Sequence, residues 1–287
     1  MPTHHQPKPP DERGLKIIHA SFFRMGTNSM ATAYQMLGYK VHHGLLEKMF
    51  DSPWAELERA AEATYPSILQ DPPSSSSSSS SRPRPRPRPR HTRKDWDELW
   101  GNTYDVATDL SCPFTFELLA AYPDAKVVVV QRDFDQWWPS FASQMRDTAM
   151  PMPQAAIASW ALWNLMGCRA GYAVQKMLKG MFDVRGAPEL DEKRARLVYD
   201  EYFARVRREV PPERRLEFNL ATDGWAPLCE FLGRPVPGDG VDFPFLNTRA
   251  SHDALVAGRK GVIYNALAAL GVGVLVLGGI LVAWSMR

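Results

Sequence analysis

Apolar residues fall into short strand-sized runs separated by longer amphipathic stretches. Residues 16–21 (KIIHAS) predict a strand, and residues 29–37 (SMATAYQML) a helix ending at Gly38. Residues 39–41 predict a second strand and the run YDVAT a third. Residues 125–131 (AKVVVVQ) are apolar almost throughout, as a central strand of a parallel sheet must be when both its faces are covered. Residues 154–177 and 189–210 carry helical periodicity, the second with Leu197, Val198, Tyr202, Phe203 and Val206 along one side. Residues 216–220 predict a further strand, and 225–232 a short helix stopped by Gly233 with Pro235 just beyond. Strands alternating with helices imply a three-layer α/β domain with a mainly parallel sheet and helices on both faces.

Two segments break this pattern. Residues 74–90 are Ser, Arg and Pro only, eight serines running into RPRPRPRPR. Such a stretch has nothing to bury and cannot offset its ordering entropy, so residues 74–94 are expected to be a disordered surface insert. Residues 262–284 are 23 residues without a charge. As a helix they would reach about 35 Å, enough to cross a hydrocarbon core of about 30 Å. Arg249, His252, Arg259 and Lys260 precede the run and only Arg287 follows it. The positive-inside bias then keeps the large N-terminal part cytosolic, on an intracellular membrane. Without an apolar N-terminal segment no secretory signal is expected, and the run reads as a single-pass C-terminal anchor. The expected organisation is a disordered 1–14, a folded domain over 15–247, a juxtamembrane linker over 248–261 and a membrane helix over 262–284.

Charge and cysteines narrow the function classes. The net charge is +2, and without the five arginines of the insert the rest of the chain carries −3. That argues against a specific nucleic-acid partner. Cys112, Cys168 and Cys229 are widely spaced, which excludes a disulfide framework and the common zinc patterns, and no metal is expected.

The chemistry concentrates after the first strand. Between it and the first helix lies FFRMGTN, an arrangement that turns backbone N–H groups and a positive helix end toward an anion. Gly26 allows close backbone approach, Thr27 and Ser29 supply hydroxyls, and Arg24 supplies charge. A Walker A loop needs GxxxxGK[ST], and Thr27 stands where its Lys would be, which disfavours ATPase, GTPase and small-molecule kinase chemistry. Arg132 and Asp133 follow the valine-rich strand, with Ser140 on the next helix. Ligands of open α/β sheets bind beyond the carboxyl ends of the strands, so Arg132 and Ser140 are placed to hold a second phosphate.

The runs SFFRMGTNSM, His42-His43-Gly44, DWDELWGNTYDVATDLSCP, LLAAYPDAKVVVVQRDFDQWWPS and DGWAPLCEFLGRPVP occur in this order. Together they resemble the P-loop sulfotransferase-like proteins, common in fungi and similar to enzymes that use PAPS (3′-phosphoadenosine 5′-phosphosulfate). The resemblance covers most of 15–247 outside the insert. It implies a P-loop NTPase-like fold and a sulfuryl transfer from PAPS to a hydroxyl of a small, apolar acceptor. It places Arg24, Gly26, Thr27, Asn28 and Ser29 around the 5′-phosphosulfate, and Arg132 and Ser140 at the 3′-phosphate. Where family loops often read GxxRTGT, Ser21 replaces the first Gly and Met25 the Thr, removing one potential donor.

For the acceptor, His43 is the candidate base, with solvated or hydrogen-bonded His42 and His43 as the competing reading. Asp109, after YDVAT, is a candidate for orienting a His or binding acceptor, or a plain turn residue. The arginines 205, 207, 208, 214 and 215 read as a solvated face, or else as phosphate or headgroup contacts. The rival to an enzyme is a non-catalytic, membrane-tethered scaffold with a degenerate nucleotide pocket.

Overall fold

The computed structural model describes residues 6–9, 12–44, 50–69, 87–150, 152–238 and 240–246. Five strands form one all-parallel sheet: β1 (Ile17–Ala20), β2 (Val41–His43), β3 (Val106–Thr108), β4 (Lys126–Val130) and β5 (Arg215–Phe218), in spatial order β2-β3-β1-β4-β5. The helices are α1 (Thr27–Met36), α2 (Trp54–Thr64), α3 (Arg93–Trp96), α4 (Thr115–Ala121), α5 (Phe134–Phe141), α6 (Asp147–Ala149), α7 (Gln154–Met166), α8 (Ala170–Phe182), α9 (Glu192–Glu209) and α10 (Trp225–Leu232). β1 lies between β3 and β4, with Ile18 aligned to Ala107 on one side and Val127 on the other.

Strand alternation sorts the core into two layers. Ile17, Val41, Val106, Val128 and Val130 face Met30 and Tyr34 of α1 and Leu228 and Leu232 of α10. Ile18, Ala20, Ala107, Val127 and Val129 face the larger layer, which includes α2, α4, α5, α8 and α9. All four residues of β1 are buried, and so are the last four of β4. Full burial of a Val or Ile side chain contributes about 1.5–3 kcal/mol, so the central strands anchor everything that their carboxyl ends carry.

Several element boundaries differ from the sequence expectation. The helix expected over 154–177 is two helices, because Gly167 takes a left-handed conformation (φ 65°) and closes α7 before α8 begins at Ala170. β2 comprises Val41–His43 rather than 39–41, because its pairing with β3 begins at Val41 opposite Val106. His42 and His43 are therefore strand residues. α1 begins at Thr27, two residues earlier than expected. α9 begins at Glu192, capped by the Asp191 carboxylate, which accepts the Arg194 N–H at 2.7 Å.

The layer opposite α1 also buries charge. Glu58 and Glu62 on α2 are almost fully covered and meet Arg169 and Lys176 from the start and middle of the α8 segment. Within the insert, Arg88 reaches Glu62, and Thr92 opens α3 by accepting and returning hydrogen bonds with Asp95. These partners hold the Glu58 and Glu62 carboxyls below their ordinary range against the opposing cost of burial. Residues 74–86 and the expected linker and membrane helix over 248–284 lie outside the described residues. Among the described residues no helix is long and apolar enough to cross a membrane.

His19 on β1 and His42 on β2 are buried, and burial pushes both imidazoles down to about 3. His19 Nδ1 shares a hydrogen bond with the Tyr34 hydroxyl at 3.2 Å, whereas neither ring nitrogen of His42 has a partner among the described residues. His42 packs instead against Trp100 and Tyr104. Below an unfolded-state pKa near 6.5 the unfolded chain binds protons that these folded imidazoles refuse. Each therefore removes about 1.4 kcal/mol of stability per pH unit as the pH falls from about 6.5 toward 3. His42→Phe fills the same aromatic niche without a titrating group. Urea denaturation across this range should show a shallower loss of stability than wild type, with no loss at pH 7.

Candidate active site

The turn after β1 is set on an aromatic base. Phe22 is fully buried among Trp137, Tyr199, Tyr202 and Phe203, and the Trp137 indole N–H donates to the Phe23 carbonyl at 2.8 Å. The Tyr202 hydroxyl donates to the Ser21 carbonyl at 3.3 Å and pairs with Thr115 at 2.8 Å. These contacts reach the turn from α5 and α9, more than a hundred residues away, and no local sequence signal announces them.

Held this way, the turn adopts an unusual backbone. Arg24 (φ 71°) and Gly26 (φ 74°) are both left-handed. For Gly26 this costs little, but for an arginine it costs about 1–2 kcal/mol, which the buried neighbours on either side sustain. Met25 is buried within the turn, with the Phe22 N–H directed at its sulfur at 3.5 Å. The Gly26 carbonyl accepts the first helical N–H, from Met30, and no side chain caps the start of α1. The backbone N–H groups of Thr27, Asn28 and Ser29 thus carry the positive end of the helix dipole at the carboxyl edge of the sheet.

Arg24 joins this turn to the helix after β4. Its Nε donates to Ser140 Oγ at 3.3 Å, across 116 residues of sequence. On the other side, His43 Nε2 and Thr27 Oγ1 form a buried hydrogen bond of 3.1 Å. The alternation of β2 sends His43 to the turn and His42 to the Trp100 side, which gives two adjacent histidines different surroundings. Asp109 directly follows β3 with a left-handed backbone (φ 61°), and its carbonyl accepts the Cys112 N–H at 3.1 Å. Its carboxylate presses on Gly44, where an added Cβ would come within 2.9 Å of Oδ2. Asp109 therefore adjoins the residue after His43.

The remaining sequence-predicted residues divide. Ser29 is fully buried, and its Oγ accepts the Leu246 N–H at 2.9 Å, so the segment after α10 folds back over the start of α1. Among the described residues, the half-buried Asn28 Oδ1 and the buried Ser21 hydroxyl have no hydrogen-bond partner. Arg132 is exposed on the loop leaving β4, with its carbonyl taken by the Tyr199 hydroxyl. Its guanidinium has no hydrogen-bond or ion-pair partner among the described residues, and it does not bond to Arg24 or Ser140. It borders a cleft of about 490 Å³ lined also by Phe134, Arg196, Tyr199 and Asn219. By contrast, the arginine group near the end of α9 is spent on neighbours. Arg205 pairs with Glu209, Arg207 with Glu217, Arg208 with Glu201, and Arg214 and Arg215 donate to backbone carbonyls.

The Trp137–Phe23 hydrogen bond makes a specific demand. Trp137→Phe keeps an aromatic ring but leaves the buried Phe23 carbonyl unpaired. Denaturant titration should show a loss of about 1–3 kcal/mol.

Comparison with known proteins identifies the family. The sulfotransferase domain family matches residues 16–252, which span all five strands and every residue of the site. The protein described as Ava biosynthesis cluster protein M, from Aspergillus versicolor, is 27% identical over 292 residues, covering 95% of this chain and 97% of that protein. With an all-parallel sheet, an anion-directed turn after its central strand and a family match over most of its length, the chain belongs to the sulfotransferase domain family.

Proposed function

We propose that this chain transfers a sulfuryl group from PAPS to the hydroxyl of a small, apolar acceptor. In the same proposal, residues 262–284 tether it to an intracellular membrane with the α/β domain on the cytosolic side. The observation that carries the reading is the hydrogen bond from Arg24 to Ser140, which unites the turn after β1 with the helix after β4. A donor with phosphates at both its 5′ and 3′ positions needs two anion-binding groups a few ångströms apart, and a mononucleotide triphosphate does not.

The residues present fit such a donor. The N–H groups at the start of α1, with the Thr27 and Asn28 side chains, would take the 5′-phosphosulfate. The unpaired Arg132 guanidinium, with Ser140, would take the 3′-phosphate. The 490 Å³ cleft beside Arg132 is mainly charged, lined by Asp133, Asp200, Glu217, Arg196 and Arg207 besides Phe134, Tyr199 and Asn219, so the rings of Phe134 and Tyr199 are the apolar surface it offers a nucleoside. In the transfer, the acceptor oxygen bonds to sulfur as the bond from sulfur to the bridging phosphate oxygen breaks. Arg24 and the α1 N–H groups stabilise charge on the departing phosphate, and His43 removes the acceptor proton. The pairing of His43 with Thr27 holds the imidazole at the reacting edge, and Asp109 stands beside it as a group to orient the acceptor.

Two observations favour the scaffold as a second reading. The Ser29 hydroxyl is occupied by Leu246, and Met25 fills the turn with apolar volume. The two readings part in a binding experiment. Calorimetry of the full chain with PAP, the desulfated donor, should show 1:1 binding, with ATP and NAD much weaker. Arg132→Ala should weaken PAP by about 10- to 100-fold, the worth of a charge-assisted contact. No PAP binding at all would leave the scaffold. With an accepted hydroxyl compound in hand, His43→Ala should lower kcat by about 10²–10⁴-fold while PAP affinity holds, the pattern of a lost proton acceptor.

A further inference from the structure

α7 is built against the usual rule for a surface helix. Its 13 residues, QAAIASWALWNLM, include no charge. Ala155, Ser159, Ala161 and Leu162 form its buried side, where Ser159 Oγ sits against Gly171 of α8 and accepts from Gln175 at 2.8 Å. The outer side is apolar as well. Ile157, Trp160 and Trp163, at i, i+3 and i+6, are 54%, 50% and 41% exposed, and Met152 just before the helix is 64% exposed. A helix apolar all round is ordinarily buried all round. Isolated apolar side chains at a surface are common, but a continuous stripe of this kind marks a docking face.

The chemistry around the stripe identifies the partner. Residues 148–182 contain no Asp or Glu, so the whole α7–α8 hairpin presents no acid of its own to an anionic surface. Of its cations, Arg169 and Lys176 are paired with Glu58 and Glu62 of α2, which leaves Lys179 as the one without an ion-pair partner among the described residues, while the Arg169 guanidinium also lies over the rings of Trp163 at 4.7 Å and Tyr172 at 5.1 Å. The indole N–H groups of Trp160 and Trp163 have no partner among the described residues. An apolar ring with one unspent donor is the side chain that the water–hydrocarbon boundary of a bilayer favours. The chain also contains the uncharged run 262–284, separated from Leu246 by 15 residues, so a bilayer is a surface this chain is composed to meet.

We infer that the α7–α8 hairpin is a peripheral membrane-binding surface. It lays Ile157, Trp160 and Trp163 into the headgroup–acyl boundary of an anionic bilayer, beside and independent of any anchorage through 262–284. An in-plane helix of this kind inserts about 5–10 Å, deep enough for the three outer side chains and no further. The inference goes beyond sulfuryl transfer and does not depend on it.

The test places a polarity-sensitive fluorophore on the full chain at Ile157→Cys, at Leu275→Cys within the apolar run, or at Leu197→Cys on the outside of α9. The native cysteines are buried, so labelling is selective. The probes are phosphatidylserine-containing vesicles with bromine on the upper acyl carbons. Label 157 should be quenched about twofold or more, with label 197 unchanged, and the Trp160→Glu/Trp163→Glu variant should abolish quenching at 157 with helix content unaltered. Quenching at 275 without quenching at 157 overturns the inference and leaves the anchor standing. Quenching at 157 without 275 upholds the peripheral surface and removes the anchor. Shielding of label 157 that grows with protein concentration in the absence of lipid assigns the face to a second copy of the chain and overturns the inference.

Discussion

The candidate site of this protein depends on an all-parallel sheet in which β1 has parallel neighbours on both sides. Because β3 and β4 pair with it in the same direction, the three carboxyl ends stop at one edge, and the turns after them converge there. That geometry lets Arg24 reach Ser140 across 116 residues, and because β2 in turn pairs parallel to β3, it places Thr27 beside His43. An antiparallel β4 would have sent the turn before α5 to the opposite edge, and an antiparallel β2 would have done the same to His43. The contacts would then have been impossible whatever the residues.

The second constraint is the support beneath the turn. A left-handed arginine is costly unless its surroundings permit no alternative. Here Phe22 is locked in an aromatic cluster, and the carbonyls of Ser21 and Phe23 are taken by Tyr202 and Trp137. The larger helical layer thus acts as a mould. It fixes backbone positions at the carboxyl edge of the sheet and, among the described residues, leaves the Arg132 guanidinium without a partner and the first N–H groups of α1 without a side-chain cap. Burial lifts the Tyr202 phenol well above its ordinary range, so it remains a neutral hydrogen-bond donor at any physiological pH.

The two faces of β2 show how the same residue type acquires different physical characters. His42 and His43 are adjacent, yet one is an unpartnered ring among aromatics and the other is bonded to a hydroxyl at the edge. Likewise the arginines near the end of α9 are numerous but paired, whereas solitary Arg132 is not. Charge available for a ligand is therefore not proportional to charge in the sequence. Salt bridges to Glu201, Glu209 and Glu217 consume it locally.

The sequence by itself determined the fold class, because an apolar valine run and strand–helix alternation admit few solutions besides a covered parallel sheet. It also located the turn after β1 and the candidates Arg24, Thr27, His43, Arg132 and Ser140, since glycine, hydroxyl and basic residues at strand ends carry a local signature. What it left to the tertiary structure were facts set by long-range packing. These include the break at Gly167, the different surroundings of His42 and His43, the Trp137 and Tyr202 bonds under the turn, and the return of Leu246 to Ser29. None has a period or a short motif, because each is a contact between segments whose separation is decided only when the sheet closes. The exposed stripe of α7 belongs to the same class. Its composition alone reads as a buried helix, and only the packed structure reveals which side was left uncovered.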